Sequence, residues 1–144
     1  MACLLLTACS ASTFEYRECT ANAECRETFG FGSVCSDGLC GIAELNPRCT
    51  IGPQEGLALP LDPAIYVPIG SIFTRTTDSH LARERAAGMP VGNANSRGGL
   101  DGREFVLVQC SNEAGTFDEL DQDEANLAVA RHLGSAIGVP AIIG

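Results

Sequence analysis

At 144 residues the chain has room for one domain with a small appendage, and 45% hydrophobic against 19% charged residues excludes wholesale disorder. A net charge of −9, with all nine basic residues arginine, argues against a nucleic-acid binder or a polybasic membrane-surface protein. No run reaches the ~18 apolar residues that a membrane-spanning helix needs. Eight cysteines are present, five of them between Cys19 and Cys49.

Residues 1–9 read MACLLLTAC. Leu6-Thr7-Ala8-Cys9 has the form of a bacterial lipobox: an aliphatic residue, two small residues that fit a peptidase cleft, and a cysteine whose thiolate takes up diacylglycerol. The expectation is a signal segment over 1–9, lipidation at Cys9, and a cell-envelope location with an anchor in the membrane, the outer membrane included. Upstream of Cys9 there is no Lys or Arg, as a signal peptide's n-region would carry. An ordinary buried apolar segment is the alternative.

Residues 10–49 form a Cys-rich segment with the spacing Cys19-x5-Cys25-x9-Cys35-x4-Cys40-x8-Cys49. Glycine and polar residues fill the gaps without apolar periodicity, so the segment needs covalent staples. Zinc would prefer short CxxC pairs or nearby histidines, whereas His80 and His132 lie far along the chain. Disulfides are therefore expected, with no metal and no cofactor. The phrase ECTANAECRETFGFGSVCSDGLC resembles small Cys-rich modules near the N-termini of secreted myxobacterial proteins. Such interlocked modules imply Cys19 with Cys35 and Cys25 with Cys40, leaving Cys49 and Cys110 as one further pair or each with another fate. The segment is expected to serve as a spacer, with a cell-surface interaction module or a cap on the next domain as the alternatives. Residues 50–64, with Pro53, Pro60 and Pro63, read as a linker or extended lead-in.

From Ile65 to Gly144 the pattern is strand, helix, strand, helix, strand, which builds a parallel sheet covered by helices. The strands IYVPIGSIF, EFVLVQC and VPAIIG are continuous apolar runs, as in strands buried on both faces. Thr74 to Ser79 offers N-caps for a helix beginning near His80. Leu81, Ala82, Ala86 and Met89 would form its buried stripe, and Gly88, Pro90 and Gly92 predict a kink near Pro90. Gly98, Gly99 and Gly102 turn the chain into the second strand. The second helix is expected to open on the acidic run Asp118–Glu124, where negative charge suits a helix N-terminus. Its inner stripe would be Leu127, Ala130, Leu133 and Ile137. The acidic run lacks calcium-loop spacing.

Taken together, Asn95, Arg97-Gly98-Gly99 with Gly102, Leu107-Val108-x-Cys110, and Gly138-Val139-Pro140-Ala141-Ile142-Ile143-Gly144 resemble the start of a type I periplasmic binding protein. More narrowly, they resemble the branched-chain amino acid binding family of ABC importers, related to the ligand-binding domains of family C receptors. The resemblance covers residues 65–144, the first part of one of two lobes. It implies an α/β fold with a partial parallel-sheet βαβαβ lobe after the disulfide-rich segment, and a solute-binding lipoprotein for amino acids or related small polar ligands. An ABC permease would be the partner in import. In this family the loop after the third strand holds the ligand's carboxylate; in this chain Thr74, Arg75 and Thr76, after strand one, are the rim candidates. The competing role for these three is helix capping at a solvated face.

In the receptor relatives the cysteine matching Cys110 pairs with one in the loop after strand one. No cysteine lies between Cys49 and Cys110, so its partner is Cys49, a residue beyond Gly144, or none. The alternative function is a Cys-rich surface lipoprotein with a sensing, adhesion or structural role and no transport. An enzyme is not expected: no GxGxxG follows strand one, and no histidine can be placed beside Cys110.

Overall fold

The structure is a computed structural model that describes residues 17–52 and 56–144. The lipobox and Cys9, with the whole of 1–9, lie outside the described residues. Helix α1 (Asn22–Phe29) leads into a hairpin of β1 (Ser33–Ser36) and β2 (Leu39–Ile42), then β3 (Cys49–Gly52). After the Pro-rich lead-in come β4 (Tyr66–Phe73), α2 (Asp78–Asn95), β5 (Glu104–Ser111), α3 (Gln122–Arg131), a π-helical turn (His132–Ile137) and β6 (Ile142–Ile143).

The main sheet has the order β3-β5-β4-β6. Strand β4 pairs in parallel with β5 on one side and with β6 on the other. The chain therefore crosses from β4 to β5 in one direction and returns past β4 in the opposite one. Right-handed crossovers in opposite directions place the two helices on opposite faces. The contacts agree with that topology. A Cβ at Gly88 of α2 would lie 3.8 Å from Leu107, whereas one at Gly70 of β4 would meet Leu133 of the π turn at 3.0 Å. Leu107 and Gly70 are parallel-strand neighbours displaced by one residue in register, so they point to opposite sides.

On the α3 face, Cys49, Val108, Cys110, Val129, Leu133 and Ile137 form the buried cluster, with Phe31, Ile51, Leu59, Ile72 and Val139 packed against it. Phe31 comes from the Cys-rich segment. That segment is not a spacer held away from the sheet. Gly32 N–H donates to the Ile137 carbonyl at 2.9 Å, and both Asn22 Nδ2 and Arg26 Nη1 donate to the Ser135 carbonyl at 2.9 Å. Phe31 and Leu61 exchange backbone hydrogen bonds at 2.9 Å in each direction. The segment caps the π turn and shares its core.

Three disulfides are formed: Cys19–Cys35, Cys25–Cys40 and Cys49–Cys110. The first two follow the pairing the module resemblance implies. The third joins directly opposed residues of β3 and β5. Disulfides of this kind belong to oxidising compartments outside the cytoplasm. Among the described residues no helix is long and apolar enough to cross a membrane.

Several expectations need correction. Residues Thr50 to Gly52, assigned to the linker, belong to β3, which adds an antiparallel edge to the parallel strands. Four residues are too short to show strand alternation, and their pairing is fixed from outside by Cys110. The α2 stripe is also rotated from its expected position. Val91 is buried while Met89 is 68% exposed, and Ala82 and Ala86 are exposed. The helix runs through Pro90 as one element, and Pro90 itself is exposed. Helix α3 begins four residues after Asp118, with Asp121 as N-cap forming a reciprocal capping box with Glu124. Its inner residues are Ala125, Val129, Leu133 and Ile137, so Leu127 (51% exposed) and Ala130 leave the expected stripe. The wider π turn changes the phase of the last turn, and Leu133 and Ile137 stay inward.

Asn95 has a structural task. Its side chain behaves like a strand backbone toward β5, donating to the Phe105 carbonyl and accepting from Phe105 N–H, each at 2.8 Å. Gly99 sits at φ +67°, and a Cβ there would stand 1.9 Å from the Arg103 carbonyl oxygen. Only glycine fits that approach.

Candidate binding cleft

In doubly wound sheets the crevice lies outside the carboxyl ends of the strands, where the strand order reverses. Here that point falls between β4 and β6. A cleft of about 340 Å³ opens there, lined by Ile72, Phe73, Thr74, His80, Arg83, Asn112 and Gly144. The volume lies at the small end of the range for ligand sites.

Two of the lining residues, Thr74 and Asn112, belong to a chain of polar side chains. Thr74 Oγ1 donates to Asn112 Oδ1 at 2.7 Å, and Asn112 Nδ2 donates to Asn126 Oδ1 at 2.7 Å. Gln122 Nε2 reaches Thr74 Oγ1 at 3.4 Å. Thr74 follows β4, Asn112 follows β5, and Gln122 and Asn126 lie on α3, so the network ties three elements at one end of the sheet. Thr77 caps α2, its side chain accepting from His80 N–H. The cap sets the first turn, from which His80 and Arg83 reach the cleft.

The three rim candidates separate. Thr74 lines the cleft. Thr76 Oγ1 lies 3.1 Å from His80 Nδ1 and so supports the imidazole from behind. Arg75 is turned away: its Nε donates to Glu84 Oε2 at 2.9 Å, and its Nη2 to the other oxygen, fixing the first turns of α2. Helix capping thus accounts for Thr77 and an ion pair with Glu84 for Arg75, while Thr74 lines the cleft and Thr76 contacts its histidine. Cys110 is bridged and carries no free thiol.

Sequence reasoning missed Arg48. It is only 1% exposed. Its Nε donates to Asp118 Oδ2 at 3.0 Å and its Nη2 to Oδ1. Nη1 donates to the Glu113 carbonyl at 2.7 Å and reaches the Ser111 carbonyl at 3.5 Å. The Phe117 ring centroid lies 5.4 Å from the guanidinium carbon. These contacts grip the loop after β5 on both sides of Asn112. The hydrogen bond from Arg48 holds the Asp118 carboxyl below its ordinary range, and the same bond raises the Arg48 guanidinium against its burial. Arg48 positions the cleft wall without touching the cleft. The signal in the sequence was the pairing of Cys49 with Cys110: a residue next to that bridge must lie against the end of β5.

His132 forms a second tie. Its Nε2 accepts from Asn46 N–H at 3.2 Å, and burial lowers its pKa. The neutral ring is the form that can accept this bond.

Comparison with protein-family models, with curated proteins and with solved structures finds no match to this chain.

Proposed function

We propose that this chain is an extracytoplasmic solute-binding lipoprotein that takes a small polar, amino-acid-like ligand at the carboxyl ends of its parallel strands. It would work in an ABC import or sensing system and be tethered to the membrane through Cys9. The observation that carries this reading is the cleft between β4 and β6, which Thr74 and Asn112 line and in which their hydrogen bond joins the ends of β4 and β5. Its position follows from sheet topology rather than from surface irregularity. Supporting it, the disulfides suit an oxidising compartment, and residues 65–144 resemble the beginning of a first lobe in the branched-chain amino acid binding family. In that family a second lobe closes over the ligand. Binding to the cleft of one lobe alone is expected in the millimolar range, about −4 kcal/mol.

Calorimetric titration of the oxidised chain with branched-chain amino acids and their amides tests the proposal. Saturable heats that vanish in Asn112→Ala are expected. Heats equal to dilution for every solute, under conditions where the chain shows its native circular dichroism, would overturn it.

A second reading, a surface lipoprotein engaged in sensing or adhesion, has one observation in its favour. The β1–β2 hairpin presents Leu39 and Ile42 at 39% and 50% exposure. A chain that binds no solute yet retains its fold would move the assignment to this reading.

A further inference from the structure

The Cys-rich segment brings two disulfide bridges side by side. The Sγ atoms of Cys19, Cys25 and Cys40 lie within 4.8 Å of one another, and Cys35, bonded to Cys19, stands directly opposite Cys40 in the hairpin. We propose that, once its two bridges are reduced, this quartet is a tetrahedral four-thiolate site for a soft divalent cation of the zinc class.

Hydrogen bonds hold the same frame beside the bridges. Cys19 N–H donates to the Gly38 carbonyl at 2.9 Å and Cys40 N–H to the Arg17 carbonyl at 3.0 Å. Cys35 N–H donates to Asn22 Oδ1 at 2.8 Å, tying β1 to the start of α1, three residues before Cys25. The hairpin register holds Cys35 against Cys40. The clamp of Asn22 and Arg26 on the Ser135 carbonyl fixes α1 against the rest of the fold. Four thiols released in this frame start close together. A tetrahedral centre with metal–sulfur bonds of about 2.3 Å needs sulfurs about 3.8 Å apart, so the two bonded pairs open on reduction, while the Sγ atoms of Cys19, Cys25 and Cys40 start within 4.8 Å of one another. Cys25 and Cys19 are buried, which suits a closed structural site.

The chemistry balances. Each bridge takes two electrons and two protons from one dithiol reductant, giving two protein thiols and one cyclic disulfide of the reductant. Binding of the divalent cation to four thiols releases up to four protons and leaves a centre of net charge −2. Bridged and metal-bound forms exclude each other, so the redox state of the surroundings selects between them.

The full chain is reduced with a dithiol, freed of it under anaerobic conditions, and titrated with Co2+ alone as the probe. Cys3→Ser and Cys9→Ser are present throughout, and Cys49→Ala with Cys110→Ala serves as a background that leaves the quartet intact. The expected result is a sulfur-to-cobalt charge-transfer band with tetrahedral ligand-field bands, saturating at one equivalent and displaced by Zn2+. Cys25→Ser and Cys40→Ser should each weaken Co2+ binding by at least tenfold, while the Cys49/Cys110 background should not change it. Absence of the charge-transfer band in the reduced chain would overturn the proposal, as would an equal band in Cys25→Ser.

Discussion

Among residues 17–42 the buried hydrophobic side chains are Cys19 and Cys25, and both are bridged. Between Val67 and Ile137 the chain buries Val106, Val108, Ala125, Val129, Leu133 and Ile137 completely. The first region is held by covalent closure and by hydrogen bonds to its neighbour. The second is held by apolar area removed from water. The two meet at the π turn, where Arg26, Asn22 and Gly32 address backbone carbonyls of residues 135 and 137. A segment with little core of its own gains stability by docking on one that has a core. The cleft sits at the far end of that second region, where strands β4, β5 and β6 finish.

This contrast is broken most severely at the bridge between the regions. Cys49–Cys110 closes 61 residues, and removing it as a double alanine variant should cost about 4 kcal/mol by loop-closure entropy, against about 3 kcal/mol for Cys19–Cys35, which closes 16. Chemical denaturation of the two variants checks the order. A larger loss from Cys19–Cys35 would mean that the Cys-rich segment, not the sheet, anchors the fold.

Leu133→Ala should cost about 3 kcal/mol, because the side chain is fully buried between the sheet and the Cys-rich cap. Leu127→Ala, on an exposed face of the same helix, should stay within about 0.5 kcal/mol. Equal losses in the two unfolding curves would mean the phase of α3 is misassigned. Arg48→Ala should cost about 2 kcal/mol, since the Ser111 and Glu113 carbonyls lose their buried donor. Because those carbonyls flank Asn112, the same substitution should weaken solute heats as well as stability.

The smallest effect is that of pH. The folded-state pKa of His132 lies below its free value of about 6.5. The folded state therefore binds fewer protons than the unfolded one below that value, and stability should fall as pH drops below about 6.5 toward the folded pKa. Asp118 adds a loss at lower pH, as its depressed carboxyl protonates below the ordinary carboxylate range. His132→Gln should flatten the first of these two phases in thermal melts and leave the second.

Much of this architecture was legible in the residues, and the rest was hidden for physical reasons. Continuous apolar runs located β4 and β5 to within a residue, because strands buried on both faces leave no alternation to misread. Helix faces were less readable. The α2 sequence has small residues on all sides, and it is a glycine, Gly88, whose missing Cβ position faces Leu107 at 3.8 Å. In α3 a π turn shifted the phase that a 3.6-residue period assumes. Strand β3 and Arg48 escaped because both are defined by a distant partner, Cys110 with a separation of 61 residues and Asp118 with one of 70. Within the cleft, Thr74 was visible as the residue that follows strand one. His80 and Arg83 entered only once the cap at Thr77 had fixed the first turn of α2.

The most direct test of solute binding at the strand ends is a residue-resolved amide spectrum of the oxidised chain, recorded during titration with leucine. Saturable shifts confined to the ends of β4 and β5 and the first turn of α2 are expected, with Thr74, His80 and Asn112 moving most. Shifts centred on the Cys-rich hairpin, with Thr74 and Asn112 unmoved, would contradict it.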